Sequence, residues 1–259
     1  MKLLFIGDIV GKSGRKAVKD FLPLLMSEYS PDIVIANGEN AANGFGITAK
    51  IARELFDLGI EVLTTGNHIW DKKDVLEYIQ NESRLIRPAN YPEDTPGRGS
   101  TIVTTGSGHK VAVLNLSGRI FMDQLDCPFK AADKEIALLR EETNLIFVDF
   151  HAEATAEKIA AGWCFDGKVT ALLGSHTHVQ TADERILPNE TAYISDVGMT
   201  GSFDSVIGMD KDISIERFRT QMPVSHRVAK GDLALNGVFV EADAGSGKAI
   251  NIERVQLGE

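Results

Sequence analysis

Four of the chain's six histidines, His68, His151, His176 and His178, stand directly behind short apolar runs, whereas His109 and His226 do not and are read as structural. The same setting holds two carboxylates, Asp8 and Glu39, and two amides, Asn40 and Asn67. Taken singly, each has a plain explanation: Asp8 as a turn cap, Glu39-Asn40 as a polar loop, a lone histidine as a packed or solvated side chain. Taken together they are an oxygen and nitrogen donor set without thiolate. Such a set suits Mn, Fe or Zn better than Ca or a structural thiolate zinc site. Asp8, Glu39, Asn40, Asn67, His151, His176 and His178 are too many donors for one tetrahedral ion, but they suit two ions that share a carboxylate. Two cations roughly 3.5–4 Å apart are a recurring arrangement for phosphoester hydrolysis. His176 and His178 are spaced i, i+2, so on extended backbone they face one locus.

These residues need a frame that gathers strand ends. The apolar runs 2–6, 32–36, 61–65, 144–150, 169–173 and 192–195 each end in a burst of Gly, Asp, Asn, Glu, His or Ser. Helical patterns fall between them at 14–29, 49–58, 71–80, 131–141 and 155–163, with Pro23 expected to kink or divide the first. Thr48 reads as an N-cap and Gly59 as the residue just past that helix. Short non-alternating strands that alternate with helices imply sheets buried on both faces, and polar bursts at strand C-termini are where open α/β sheets hold ligands. Residues 100–115 and 233–256 read as two antiparallel hairpins. The expected fold is an αββα sandwich, two mixed sheets flanked by helices, as one domain over residues 1–259. The stretch 202–227, with scattered charge and weak periodicity, gives no clear element.

Composition sets the remaining bounds. Apolar residues at 43% and charged residues at 25% suffice for an ordinary globular core. A net charge of -10 argues against duplex nucleic acid or an anionic membrane as partner. A small anionic substrate stays compatible with it, because bound cations invert the local field. The two cysteines, Cys127 and Cys164, form no CxxC motif and read as packing thiols in a reducing, cytoplasmic compartment. The N-terminal run is too short to span a bilayer and reads as the first strand. Homo-oligomerisation is left open.

The series GD, GEN, GNH, a lone His behind a strand, and GSHTH resembles the calcineurin-like metallophosphoesterases, whose pattern runs GD-x-H, GD, GNH, H and GHxH. The stretches GDIVGKSGR, IANGENAANGFGIT, TTGNHIWD, NLSGRIFM, VDFHAEATAEK, LLGSHTHVQTAD and SDVGMTG resemble its YmdB-like bacterial branch over nearly the whole chain, in order. Two positions depart from the wider superfamily and match the branch: Val10 replaces the first histidine, and Glu39 followed by Asn40 replaces the bridging aspartate.

The resemblance implies two transition-metal ions, Fe or Mn first and Zn as an alternative. Asp8, Glu39, Asn40 and His178 would hold one. Glu39 would bridge to the other, completed by Asn67, His151 and His176. Asn40 is either a direct ligand or a hydrogen-bonding neighbour. The implied chemistry is attack by metal-activated hydroxide on a small phosphodiester, a 2′,3′-cyclic nucleotide first and 3′,5′-cAMP otherwise. His68 would be the general acid, or else a hydrogen-bonding residue behind the ligands. Asp71 would orient His68 or, as the stronger reading, cap the following helix, with Gly66 turning the backbone and Trp70 packing beneath. Arg119 and Asp196 are candidate substrate contacts, and Met199 and Phe121 are either base-stacking neighbours or core. The alternatives are a phosphomonoesterase or nuclease on the same fold, or a non-catalytic metal-stabilised nucleotide-binding regulator.

Overall fold

The computed structural model describes residues 1–258. From the N-terminus, β1 (Lys2–Ile6) and the two-residue β2 (Asp8–Ile9) lead into α1 (Gly11–Tyr29), β3 (Ile33–Asn37), α2 (Ala49–Asp57), β4 (Val62–Thr64) and α3 (Val75–Asn81). The hairpin of β5 (Ser100–Thr104) and β6 (Lys110–Ser117) precedes α4 (Pro128–Leu139), β7 (Ile146–His151), α5 (Thr155–Phe165) and β8 (Ala171–Ser175). There follow β9 (Arg185–Ile186), β10 (Ala192–Ile194), β11 (Met199–Ser202) and α6 (Lys211–Thr220), then the hairpin of β12 (Leu233–Ala242) and β13 (Ala249–Gly258).

Two mixed sheets result. The first is 7-stranded and runs β2-β11-β12-β1-β3-β4, with β13 on β12; the second is 6-stranded and runs β5-β6-β7-β8-β10-β9. Strands β1, β3 and β4 are parallel, as are β6, β7, β8 and β10; β12 lies antiparallel between β1 and β11 inside the first sheet, and antiparallel β5 and β9 close the edges of the second. The side-chain period of two sorts each strand into layers. In β1, Leu3 and Phe5 point between the sheets with Ile33, Ile35, Val113, Phe147 and Leu173. Leu4 and Ile6 point the other way, onto Val18, Leu22 and Leu25 of α1 and Leu55 of α2. On the second sheet Leu114, Val148 and Phe150 pack against Ile136 of α4 and Phe165 of α5. Three apolar layers between four structural layers make the expected αββα sandwich. Both hairpins form as read, Thr48 accepts a hydrogen bond from Ile51 N at 3.2 Å, and Gly59 takes φ +102°. Among the described residues, no helix is long and apolar enough to cross a membrane.

Pro23 does not divide α1, which runs unbroken across it. Its ring removes the bond to Lys19, and both residues lie on the exposed face, where a freed carbonyl costs little. The stretch of weak periodicity contains α6, a helix with no buried residue, so no apolar stripe existed for periodicity to reveal.

Phe5, 2% exposed at the centre of the inter-sheet layer, tests this architecture. Replacing it with Ala is expected to cost about 3–5 kcal/mol in a urea unfolding titration, as for other large buried aromatic truncations.

Candidate metal centre

The C-terminal ends of β1, β3, β4, β7 and β8 meet at one end of the sandwich. At Gly7 the first strand leaves β12 (Gly7 N to Asn236 O, 2.9 Å) and joins β11 (Asp8 N to Gly198 O, 3.1 Å). The break drops Asp8, fully buried, into the gap between the sheets' ends. There it meets the second sheet's loop: His176 N donates to Asp8 Oδ2 at 3.2 Å.

The donors fall into two adjoining groups. In one, His151 Nε2 lies 2.9 Å from Glu39 Oε1, 3.1 Å from Asn67 Oδ1 and 3.0 Å from His176 Nδ1. A single ring nitrogen has one proton or one lone pair, so it cannot satisfy three such neighbours at once. In the other, Asp8 Oδ1 stands 3.8 Å from His178 Nε2, and Asp8 Oδ1 and Asn40 Oδ1 are both buried without a hydrogen-bond partner. Asn40 keeps its amide oxygen free because its Nδ2 donates to Gly44 O at 3.1 Å. Orphaned buried oxygens are expensive. Those beside an imidazole lone pair are the groups a cation with bonds of about 2.0–2.2 Å collects. The residues therefore fit metal ions.

The imidazoles are oriented from behind. Ser175 gives its single proton to Asp149 Oδ1 (2.6 Å) and so accepts from His151 Nδ1 (3.0 Å). His178 Nδ1 donates to Ile207 O at 2.9 Å, and His176 Nε2 faces Glu153 Oε2 at 3.2 Å. Each ring has a partner for one nitrogen and turns the other inward, the arrangement that fixes a ligand's tautomer. Electrostatics show how short of positive charge the site is. Burial opposes a charge on His151, but Glu39, Asp8 and Asp149 prevail and hold it up at about 9. Burial pushes Glu39 up, yet His151 prevails and brings it down to about 2. Burial raises Asp8 and lifts Asp149 to about 6, while burial and the neighbouring His151 charge depress His176 to about 3.

Several expectations need correction. His176 and His178 are not extended: their φ values are 99° and 67°, so the loop itself turns both rings inward rather than strand alternation. The chain turns at Gly66 as expected, with Ile69 N reaching Gly66 O at 3.4 Å, but the demand for glycine comes from space. A Cβ at that position would sit 2.1 Å from His151 Cδ2 and 2.5 Å from Glu39 Oε2, so only glycine leaves room for the donors. Asp71 does not cap α3, whose N-cap is Asp74; its Oδ2 lies 2.9 Å from His68 Nδ1. His68 N also donates to Glu39 Oε2 at 3.0 Å. Trp70 packs edge-on against Tyr91, as expected of a supporting residue.

Neither expected substrate contact faces the opening. Arg119 is exposed and does not line the cavity over the donors, while Asp196 is buried beneath them. Asp196 pairs with Lys158 Nζ at 2.7 Å and accepts from Thr177 N, between the two loop histidines, at 3.0 Å. It holds the loop's shape. Met199 is core and Phe121 is 89% exposed. The cavity, of about 580 Å³, is lined instead by His68, by four of the donors (Glu39, Asn40, His176 and His178) and by Phe45, His226, Arg217, Phe218 and Ile213. Phe45 touches His68 and His226 edge-on at centroid distances of 5.0 and 5.3 Å. Of the supporting residues, Asp149 had a readable signal: two positions before His151 on a strand, it shares that residue's face.

Two outcomes follow. Gly66→Ala should lose bound metal, measured by elemental analysis of the purified protein, while circular dichroism keeps the wild-type α/β signature. Lys158→Ala, which leaves Asp196 buried and uncompensated, should destabilise by about 3–5 kcal/mol in denaturant, with Lys158→Ala/Asp196→Ala recovering part of the loss.

Residues 4–255 match the family described as YmdB-like protein. The 2′,3′-cyclic-nucleotide 2′-phosphodiesterase of Bacillus subtilis (strain 168) is 51% identical over 259 residues, covering 100% of this chain and 98% of that protein. The crystal structure of a hypothetical protein from Thermus thermophilus has a TM-score of 0.93 at 39% identity, covering 100% of both chains. The crystal structure of a protein described as a novel phosphatase from Mycoplasma pneumoniae has a TM-score of 0.93 at 38% identity, covering 100% of this chain and 93% of that one. Motifs, fold and full-length similarity agree, and the chain belongs to the YmdB-like family.

Proposed function

We propose that this phosphoric diester hydrolase opens 2′,3′-cyclic nucleotides at a dinuclear transition-metal centre within a single domain, in a cytoplasmic setting. The carrying observation is the 51% identical Bacillus subtilis 2′,3′-cyclic-nucleotide 2′-phosphodiesterase, joined here to a cavity that reaches Glu39, Asn40, His176 and His178 of the donor set. Asp8, Asn40 and His178 would hold one ion, Asn67, His151 and His176 the other, and Glu39 both. Fe or Mn suits these donors, with Zn as the alternative. When bound, the ions supply charge neutralisation at the phosphoryl oxygens and acidification of the attacking water.

The chain's own residues do the rest. Phe45, Ile213 and Phe218 give the cavity an apolar wall for a base. His68 faces the same cavity, and its Nδ1 is held by Asp71 at 2.9 Å. That contact orients the ring and leaves Nε2 for the departing oxygen. As water oxygen bonds to phosphorus and gives up a proton to solvent, the P–O2′ bond breaks and the O2′ atom takes the proton from His68 Nε2, which regains one from solvent. The product is the 3′-nucleotide. Thr177, held by Asp196, keeps the two loop histidines facing inward throughout.

Mn²⁺-loaded protein should turn over 2′,3′-cAMP faster than 3′,5′-cAMP or bis-p-nitrophenyl phosphate. Absence of turnover with all three would refute the phosphodiesterase reading. Binding of 2′,3′-cAMP without cleavage would favour the regulatory alternative. His68→Ala should retain both metals and lose about 10²–10⁴ in kcat, the usual contribution of a positioned acid, whereas Asp8→Ala should lose metal. Metal loss in His68→Ala would exclude the proton-donor role.

A further inference from the structure

A second cavity, of about 690 Å³, adjoins the first and shares His226 and Arg227 with it. One loop tip divides the two: Asn43 faces the second cavity, and the next residues, Gly44 and Phe45, face the first. The other walls are the first turns of α1 and the segment 226–231. Four cationic side chains border the space, Lys12, Lys16, Arg227 and Lys230, and among the described residues no carboxylate lines it. Lys16 reaches Asp20 at 2.7 Å, and Lys12 and Lys230 are exposed. Arg227 and Lys230 also border a smaller cleft with Asp204, Asp210 and Asp212, of which Asp204 is already paired with Lys211.

In a chain of net charge -10 this is a local reversal of sign, placed beside the hydrolytic cavity. A single cyclic nucleotide needs no such extension, since its one phosphate belongs over the donor set. Concentrated positive charge next to that set fits a further phosphate on the same substrate. The terminal nucleotide of a strand carries one at its 5′ position, in the diester to the preceding nucleotide.

We propose that the second cavity is a phosphate subsite for the internucleotide diester, so that the preferred substrate is a short single-stranded oligoribonucleotide ending in a 2′,3′-cyclic phosphate. The assignment deepens the phosphodiesterase reading of the first cavity and rests on it.

The test compares kcat/KM of Mn²⁺-loaded wild type and Lys12→Ala/Lys230→Ala on three substrates. These are 2′,3′-cAMP, its 5′-phosphorylated form, and the dinucleotide ApA ending in a 2′,3′-cyclic phosphate. Wild type should prefer the dinucleotide over 2′,3′-cAMP by about tenfold, the size of a charge-assisted contact to one phosphate. The double variant should lose that preference with 2′,3′-cAMP turnover unchanged. For the dinucleotide, log KM should rise with log salt about 0.7 more steeply than for 2′,3′-cAMP, as for one added phosphate contact on a single strand. Equal kcat/KM for dinucleotide and 2′,3′-cAMP in wild type, or a preference that survives in the variant, overturns the proposal. A gain confined to the 5′-phosphorylated mononucleotide overturns the oligonucleotide assignment. If wild type cleaves none of the three, the phosphodiesterase reading has failed, and binding of ApA 3′-phosphate decides the subsite separately. A tenfold weaker affinity in the variant upholds it and an unchanged affinity rejects it.

Discussion

The contact between Glu39 and His151, 2.9 Å apart and no more than 1% exposed, is the constraint around which the rest of the molecule is arranged. A buried ion pair of this kind adds little net stability, because desolvation consumes most of the attraction. Its retention makes sense as a held charge distribution. Four elements are committed to it. Strand β3 delivers Glu39, β7 delivers His151, the loop after β4 withdraws its side chain at Gly66, and the loop after β8 brings His176 alongside. None of these is a neighbour of all the others in sequence, so the pair exists only in the assembled sandwich.

Behind this contact the polar groups form a graded support. Asp149, buried and lifted to about 6, gathers the hydroxyls of Ser175 and Thr64 and the amide of Asn37, and through Ser175 it fixes the outer nitrogen of His151. Lys158 and Asp196 do a comparable service for the loop histidines from below. Hydrophobic burial holds the sheets, but this polar interior orients the site's side chains. Loops that carry most of the donors are thereby tied to the strands behind them.

The ligand candidates and the frame were readable because they leave local traces. An apolar run ending in a polar burst is visible one strand at a time, and so are a Thr48 cap or a hairpin turn at Gly106-Ser107-Gly108. What escaped was set by distant partners. Nothing local marks the positive φ of His176 and His178, which follows from Asp196 and Asp8 gripping the loop's amides. Asp196 looked like a substrate contact because its partner, Lys158, is 38 residues away on α5. His226 was set aside because no apolar run precedes it, although the fold carries it to Phe45 at the cavity wall. Helix α6 carries no apolar stripe because it covers the opening and not the core.

The handover of the first strand from β12 to β11 at Gly7 has a consequence for the order in which the molecule can form. Strand β1 rests on β12 in register Lys2↔Glu241 through Ile6↔Gly237, and the amino group of Met1 reaches Ala242 O. During synthesis β1 therefore waits for more than two hundred residues before β12, its antiparallel neighbour, emerges. Until then β1 has only β3 to pair with, and one of its edges stands open. Closure of so long a loop is slow, and an open apolar edge invites other chains. The donor set is thus fully framed only after β12 has emerged, and the vulnerable interval is the one before it.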